Sequence, residues 1–162
     1  MSLDDDISPR NGDDIDYGPE PQNEEERAAT VLLISRMSVN ERLTAALKGT
    51  REMRLLLVCD PNRLVALAVL NSPKLSEAEV EQIARMGRVS EDVLRTIGQS
   101  RTWTKHYPIV VALVKNAKTP LAISLRLLQR LTARDVKTVS TDRNVPDPLR
   151  IAARRRVIDV QA

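Results

Sequence analysis

The two side chains best suited to nucleophilic or acid–base chemistry are Cys59 and His106, and each residue type occurs once. A cysteine nucleophile needs a base and an electropositive, accessible site. Cys59 instead follows the apolar stretch 55–58, so we expect a buried structural thiol. His106 has no carboxylate near it in the sequence that would orient its ring as a general base. The sequence therefore predicts that the chain is not an enzyme.

Metal and phosphate chemistry is also not expected. One Cys and one His exclude a disulfide framework and the usual Cys/His zinc sites. The acidic residues mostly fall at predicted helix starts, where free backbone N–H groups and the helix dipole account for them. The isolated glycines Gly49, Gly87 and Gly98 form no phosphate-binding loop and are predicted to be helix ends or a packing point. No cofactor is predicted.

Segment 101–107 is the strongest candidate for a contact site. It combines Arg101, Trp103, Lys105 and Tyr107 with the only histidine. Trp, Tyr and Arg dominate binding hot spots, which favours a partner contact here. The alternative is structural, with Trp103 and Tyr107 filling a gap between helical units. The chain has three aromatic residues in all, so a base-stacking platform for single-stranded nucleic acid is not predicted.

Basic residues accumulate in the last third of the chain. Residues 115–162 hold eleven bases and four acids, which gives a net charge of +7. Arg126 and Arg130 are spaced i,i+4 and share a helix face, as do Arg150 and Arg154. Such a strip could bind an acidic protein segment, which is the predicted partner, or the phosphates of a nucleic acid, which is the alternative. A solvated face that keeps the protein soluble is the third interpretation.

The first 22 residues have the opposite charge. Seven acids and one base give residues 1–22 a net charge of −6, and apolar residues are sparse there. Such a composition cannot bury enough surface to offset the entropy of ordering. We predict a disordered acidic tail over 1–22 and an α-helical domain over 23–162. The tail either keeps the protein soluble or loosely covers the basic strip.

Local signals predict short helices throughout the second region. Asn23, Ser38 and Ser76 are each followed three residues later by Glu, which is the capping-box pattern of a helix start. Asp60-Pro61 is predicted to start another helix, and Asn71 to end it in the left-handed conformation. Amphipathic helices are predicted after Pro120, with Leu121, Leu125, Leu128 and Leu131 on one face, and after Pro148.

Two helices, 61–70 and 109–114, are apolar on every face and should be surrounded by other helices. Each is followed by an Asn-containing turn, an amphipathic helix and a short capped helix. This order of elements recurs with a period near 40 residues, which is typical of helical arrays. The predicted fold is all-α, a short repeat stack; an irregular helical bundle is the alternative.

The two apolar segments and the turns that follow them resemble the repeats of a known group of proteins. Residues 60–73, DPNRLVALAVLNSP, and 109–120, IVVALVKNAKTP, resemble bacterial HEAT, armadillo-like and leucine-rich-variant repeats. The resemblance covers roughly residues 38–158. It implies an α-solenoid that offers one extended face to a partner, and so a non-catalytic adaptor or scaffold. One leucine-rich-variant protein carries an iron–sulfur module on clustered cysteines, which a single Cys59 cannot reproduce.

The expected location is the cytoplasm. No apolar run approaches the roughly 18 residues that a membrane span requires. The acidic N-terminus differs from the basic and then apolar start of a signal peptide. We therefore predict no membrane partner, and the sequence leaves the oligomeric state open.

Overall fold

The computed structural model describes residues 15–162, which form ten α-helices and a short 3-10 turn, with no strand in this part of the chain. The helices are α1 Glu24–Arg36, α2 Val39–Lys48, α3 Arg51–Leu57, α4 Arg63–Val69, α5 Glu77–Arg85, α6 Glu91–Gln99, α7 Tyr107–Lys115, α8 Leu121–Leu128, α9 Ala133–Thr141 and α10 Asp147–Gln161. The 3-10 turn, Trp103–Lys105, lies between α6 and α7. The all-α prediction is confirmed.

The predicted helix starts are confirmed at all three capping-box sequences. The side chain of Asn23 accepts a hydrogen bond from the backbone N–H of Glu26 at the start of α1. Ser38 and Ser76 form complete capping boxes with Glu41 and Glu79. These contacts span three residues, so the sequence alone is sufficient to predict them.

The prediction for α4 is wrong in two respects. Asp60 is not the N-cap, because Oδ1 accepts from Asn62 N at 2.8 Å and Oδ2 lies 2.9 Å from Arg42 Nε. The cap is Asn62, and the helix starts at Arg63. The helix is also not surrounded, since Leu64 is 63% exposed.

The turn after α4 also differs from the prediction. No residue other than glycine has a positive φ in the described part of the chain, so Asn71 does not end α4 in the left-handed conformation. The α8 stripe is shifted as well. Ile123, Leu127 and Leu128 are buried, while Leu121 is 38% exposed. The buried side of α8 is therefore rotated relative to the predicted stripe. Leu131 is buried just after the helix, as predicted.

The centre of the core is α7, which is covered on nearly every side as predicted. Ile109, Val110, Leu113 and Val114 are all at most 1% exposed. Gly98 of α6 allows α8 to approach closely, because a Cβ there would lie 2.6 Å from Ile123 Cγ2. The prediction of a glycine packing point is therefore confirmed at this position.

A buried ion pair joins α3 to α5. Arg54 Nε donates to Glu79 Oε1 at 2.8 Å, and both side chains are 5% exposed. Arg54 Nη1 also donates to Gly49 O at 2.9 Å. Glu79 Oε2 accepts from the backbone N–H and the hydroxyl of Ser76. Each charge is thus paired and hydrogen-bonded, as buried charges must be.

Residues 15–22 pack against the helices, which corrects part of the predicted disordered tail. Tyr17 is partly buried against the core. The Glu20 carboxylate accepts from the backbone N–H groups of Arg51 and Glu52 (3.1 Å to Glu52), so it caps α3 from a distant segment. Partial burial of the Tyr17 ring and the capping of α3 by Glu20 hold this segment in place. Residues 1–14 of the predicted tail lie outside the described residues.

Extensive packing within residues 15–162 joins only helices that are one or two places apart in chain order. The most extensive contacts are between α9 and α10, between α2 and α4, and between α5 and α7. A helical array has this arrangement, because each unit contacts only its neighbours. Across the described residues, no helix is long and apolar enough to cross a membrane.

Candidate basic interface

The segment 101–107 forms the 3-10 turn and leads into α7. The side chains of Arg101 and Lys105 are exposed and make no polar contact with the described residues. Trp103 is partly buried and packs against the core. The ring thus contributes to packing, as the structural alternative expects, and keeps part of its surface open.

Tyr107 links this segment to the start of α9. Its hydroxyl accepts from Thr132 N at 2.9 Å and donates to the carboxylate of Asp135. Thr132 is the N-cap of α9, so Tyr107 holds the cap of a helix 25 residues further on. Tyr107 as a whole is 37% exposed.

Arg126 and Arg130 extend from α8 to the same region. Arg126 Nη2 donates to Gly98 O at 2.6 Å, in the last turn of α6, and Arg130 Nη2 donates to Thr104 O at 2.6 Å, in the 3-10 turn. Carbonyls at helix ends lack a partner within their helix, and the negative end of the dipole attracts a cation. Six of the eight predicted contact residues therefore lie in segment 101–107 or contact that segment or the end of α6 just before it. We call them the turn patch: Arg101, Trp103, Lys105, Tyr107, Arg126 and Arg130.

The other two predicted residues, Arg150 and Arg154 of α10, contact the end of α9. Arg150 Nη1 donates to Asp142 O at 3.3 Å, and Arg154 Nε donates to Ser140 O at 3.2 Å. Arg150 also pairs with Asp147 in its own helix. They bind a different helix end from Arg126 and Arg130.

Arg156 makes a similar contact that the sequence did not reveal. It donates to Leu128 O and to Leu131 O, at 2.9 Å for Leu131, at the end of α8. The separations Arg156–Leu128 and Arg126–Gly98 are both 28 residues. The shared 28-residue separation is present in the sequence, but using it requires the end of α8 at Leu128, which the sequence did not predict.

The four cations of the turn patch are not paired with any carboxylate of the described residues. Arg101, Lys105, Arg126 and Arg130 form no ion pair with any acid in residues 15–162. Arg126 and Arg130 each use one of the five guanidinium N–H donors on a carbonyl, so the others can bind an added anion. By contrast, Arg85 and Arg95 of α5 and α6 pair with acids on their own helices.

A cavity of about 260 Å³ lies between α9 and α10. Val136, Val157 and Val160 contribute its apolar lining, and Arg134, Lys137 and Arg156 its charged lining. These charged residues are all basic. The basic residues of the last third therefore also line a concave site, which is separate from the turn patch.

Cys59 and His106, the two residues best suited to nucleophilic or acid–base chemistry, lie in different parts of the fold. Cys59 follows α3 and is partly buried; burial raises the pKa of its thiol, and the nearby charges of Arg88 and Lys118 lower it by less. His106 Nδ1 lies 3.0 Å from Glu77 Oε2 at the start of α5. The sequence did not reveal this carboxylate partner, because it lies 29 positions away. In the described part of the chain, no group of three potential ligands could hold a metal ion.

The raised pKa of Cys59 predicts that its thiol is alkylated slowly. Iodoacetamide at pH 8 should alkylate the folded protein more slowly than free cysteine, because a higher pKa leaves a smaller thiolate fraction. Mass spectrometry measures the rate, with Cys59→Ser as the unlabelled control and urea-unfolded protein as the reference. Alkylation faster than that of free cysteine would show an activated thiolate and would contradict this assignment.

Comparisons of the chain with protein-family models, curated proteins and solved structures find no match. The resemblance to HEAT and armadillo-like repeats therefore remains a hypothesis. It is based on the sequence phrases and is compatible with ten helices that pack against their chain neighbours.

Proposed function

We propose that this chain is a non-catalytic adaptor, built as a HEAT/armadillo-like helical stack, that binds an acidic segment of another protein through the turn patch. The observation that carries the proposal is the set of four cations around one turn, none of which is paired with a carboxylate of the described residues. Partly exposed Trp103 and Tyr107 lie among them. Arginine and aromatic side chains together are the composition of a binding hot spot.

The geometry supports this function in a second way. Arg126 and Arg130 are fixed by their carbonyl contacts, so a partner would not have to order these two flexible side chains. A fixed guanidinium binds a carboxylate with two parallel hydrogen bonds at low entropic cost. The alternative, a nucleic-acid-binding protein, would use the same cations on phosphates, with Trp103 and Tyr107 as its available aromatic rings.

The test uses two probes, a labelled peptide of alternating Glu and Ala residues and a short DNA duplex. Arg101→Ser combined with Lys105→Ser should weaken peptide binding about three- to tenfold, since each exposed charge contributes a fraction of a kcal/mol. Fluorescence anisotropy at low and moderate salt measures the affinities. Both side chains are exposed and neither makes a polar contact with the described residues, so thermal stability should not change.

The matched control removes the same charge elsewhere. Arg88 and Arg143 are also exposed, and Arg88→Ser with Arg143→Ser should leave peptide binding nearly unchanged. Equal weakening by both double variants would show that net charge alone drives binding, and the turn patch would be rejected. Tight duplex binding with a steep salt dependence, together with weak peptide binding, would favour the nucleic-acid alternative.

A further inference from the structure

Helix α1 has one face that nothing in the described chain covers. None of its 13 residues is buried, and its one extensive contact is with α3. Thr30 and Ile34 are its only partly buried residues. Leu32, 52% exposed, lies on the opposite side of the helix. An isolated helix of this length is marginal in water, so the uncovered face would gain stability from a partner.

The uncovered face has charges of opposite sign at its two ends. Residues 25, 28, 29, 32 and 36 lie on one side of the helix, because they follow the spacing i, i+3, i+4, i+7 and i+11. Glu25 stands at the acidic first turn and Arg36 at the basic last turn, and neither forms an ion pair in residues 15–162. Between them lie Ala28, Ala29 and Leu32. The face is therefore complementary to an antiparallel copy of itself.

We propose that two copies of this chain form a symmetric dimer through antiparallel contact of their α1 helices. The register that sets Glu25 against Arg36 of the second copy also sets Ala29 against its Leu32. Small alanine side chains leave room for the leucine, and each ion pair occurs twice about the two-fold axis. Isologous two-fold contacts of this kind are the commonest in soluble oligomers. This inference is independent of the proposed binding function of the turn patch.

The test reverses one charge at a time in the full chain. Glu25→Arg places two arginines at each pair, and Arg36→Glu places two glutamates there. Each variant alone should raise the dimer dissociation constant about tenfold or more, because attraction becomes repulsion in both pairs. An equimolar mixture should dimerise about as tightly as the wild type, since each mixed pair again joins Arg to Glu. Sedimentation velocity over a concentration series measures all four samples.

The matched control uses Asp159→Arg and Arg155→Glu, which make the same charge changes at exposed positions of α10. These variants should dimerise as the wild type does. Circular dichroism should show at most a small loss of helicity for the α1 variants, because each opposes the helix dipole but removes no buried contact. Such a loss would persist in the mixture, whereas the dimer contact is restored there. A wild type that stays monomeric at every concentration would overturn the proposal. Unchanged dimerisation of both α1 variants, or open-ended growth of larger species, would also overturn it.

Discussion

Glu79→Ala is expected to lower the free energy of unfolding by about 3–5 kcal/mol, because it leaves the Arg54 guanidinium buried without its counter-charge. Arg54 is 5% exposed and would keep only its hydrogen bond to Gly49 O. The same change removes the two hydrogen bonds that Ser76 donates to Glu79 at the start of α5. Urea denaturation followed by circular dichroism measures the loss.

The matched control is Glu81→Ala in the same helix. Glu81 pairs with Arg85 on the surface, so its loss should cost at most about 0.5 kcal/mol. The double variant Arg54→Met/Glu79→Leu should recover most of the stability, since apolar residues of similar size can replace a buried pair. A loss below about 1 kcal/mol for Glu79→Ala would show that water reaches Arg54.

Leu113→Ala is expected to cost about 2–5 kcal/mol, because it opens a cavity beside a fully buried helix. Leu113 of α7 is 0% exposed and belongs to the central core. The paired variant is Leu64→Ala in α4, which has the same chemistry at a side chain that is 63% exposed. Its cost should stay within about 0.5 kcal/mol, as for other surface substitutions. Similar losses in the two variants would contradict the different burial of α4 and α7.

The sequence alone was sufficient to predict features that depend on residues a few positions apart. It was not sufficient for features that depend on contacts between residues far apart in the chain. The caps Asn23, Ser38 and Ser76 were predictable because donor and acceptor lie three residues apart. The exposure of Leu64 was not predictable from the sequence, because α4 and α7 have similar apolar sequences. Only the packing of other helices against them distinguishes the two. Glu20 was assigned to a tail from the composition of residues 1–22, and its partners, more than 30 positions away, left no local sign of the contact.

The candidate site also combines features that the sequence predicts with features that it does not. The sequence predicted the six turn-patch residues as contact residues; in the structure Arg130 contacts the 3-10 turn, and Arg126 contacts the end of α6 just before it. It did not predict how the arginines are held, because their acceptors are backbone carbonyls that every residue type possesses. Arg54 was overlooked for another reason. Arg54 follows Arg51 and Glu52 in a short helix, and nothing in that local sequence indicates that it pairs with an acid 25 positions away.

The restriction of packing to helices one or two places apart has a consequence for folding kinetics. Contacts that are close in sequence require little loop closure, so helices can be added one by one to a growing nucleus. In such a chain, α1 and α10 can open while the centre stays intact, because each terminal helix has neighbours on one side only. A single unfolding midpoint would then average over partly opened states, and the protein would lose its ends before it loses its core.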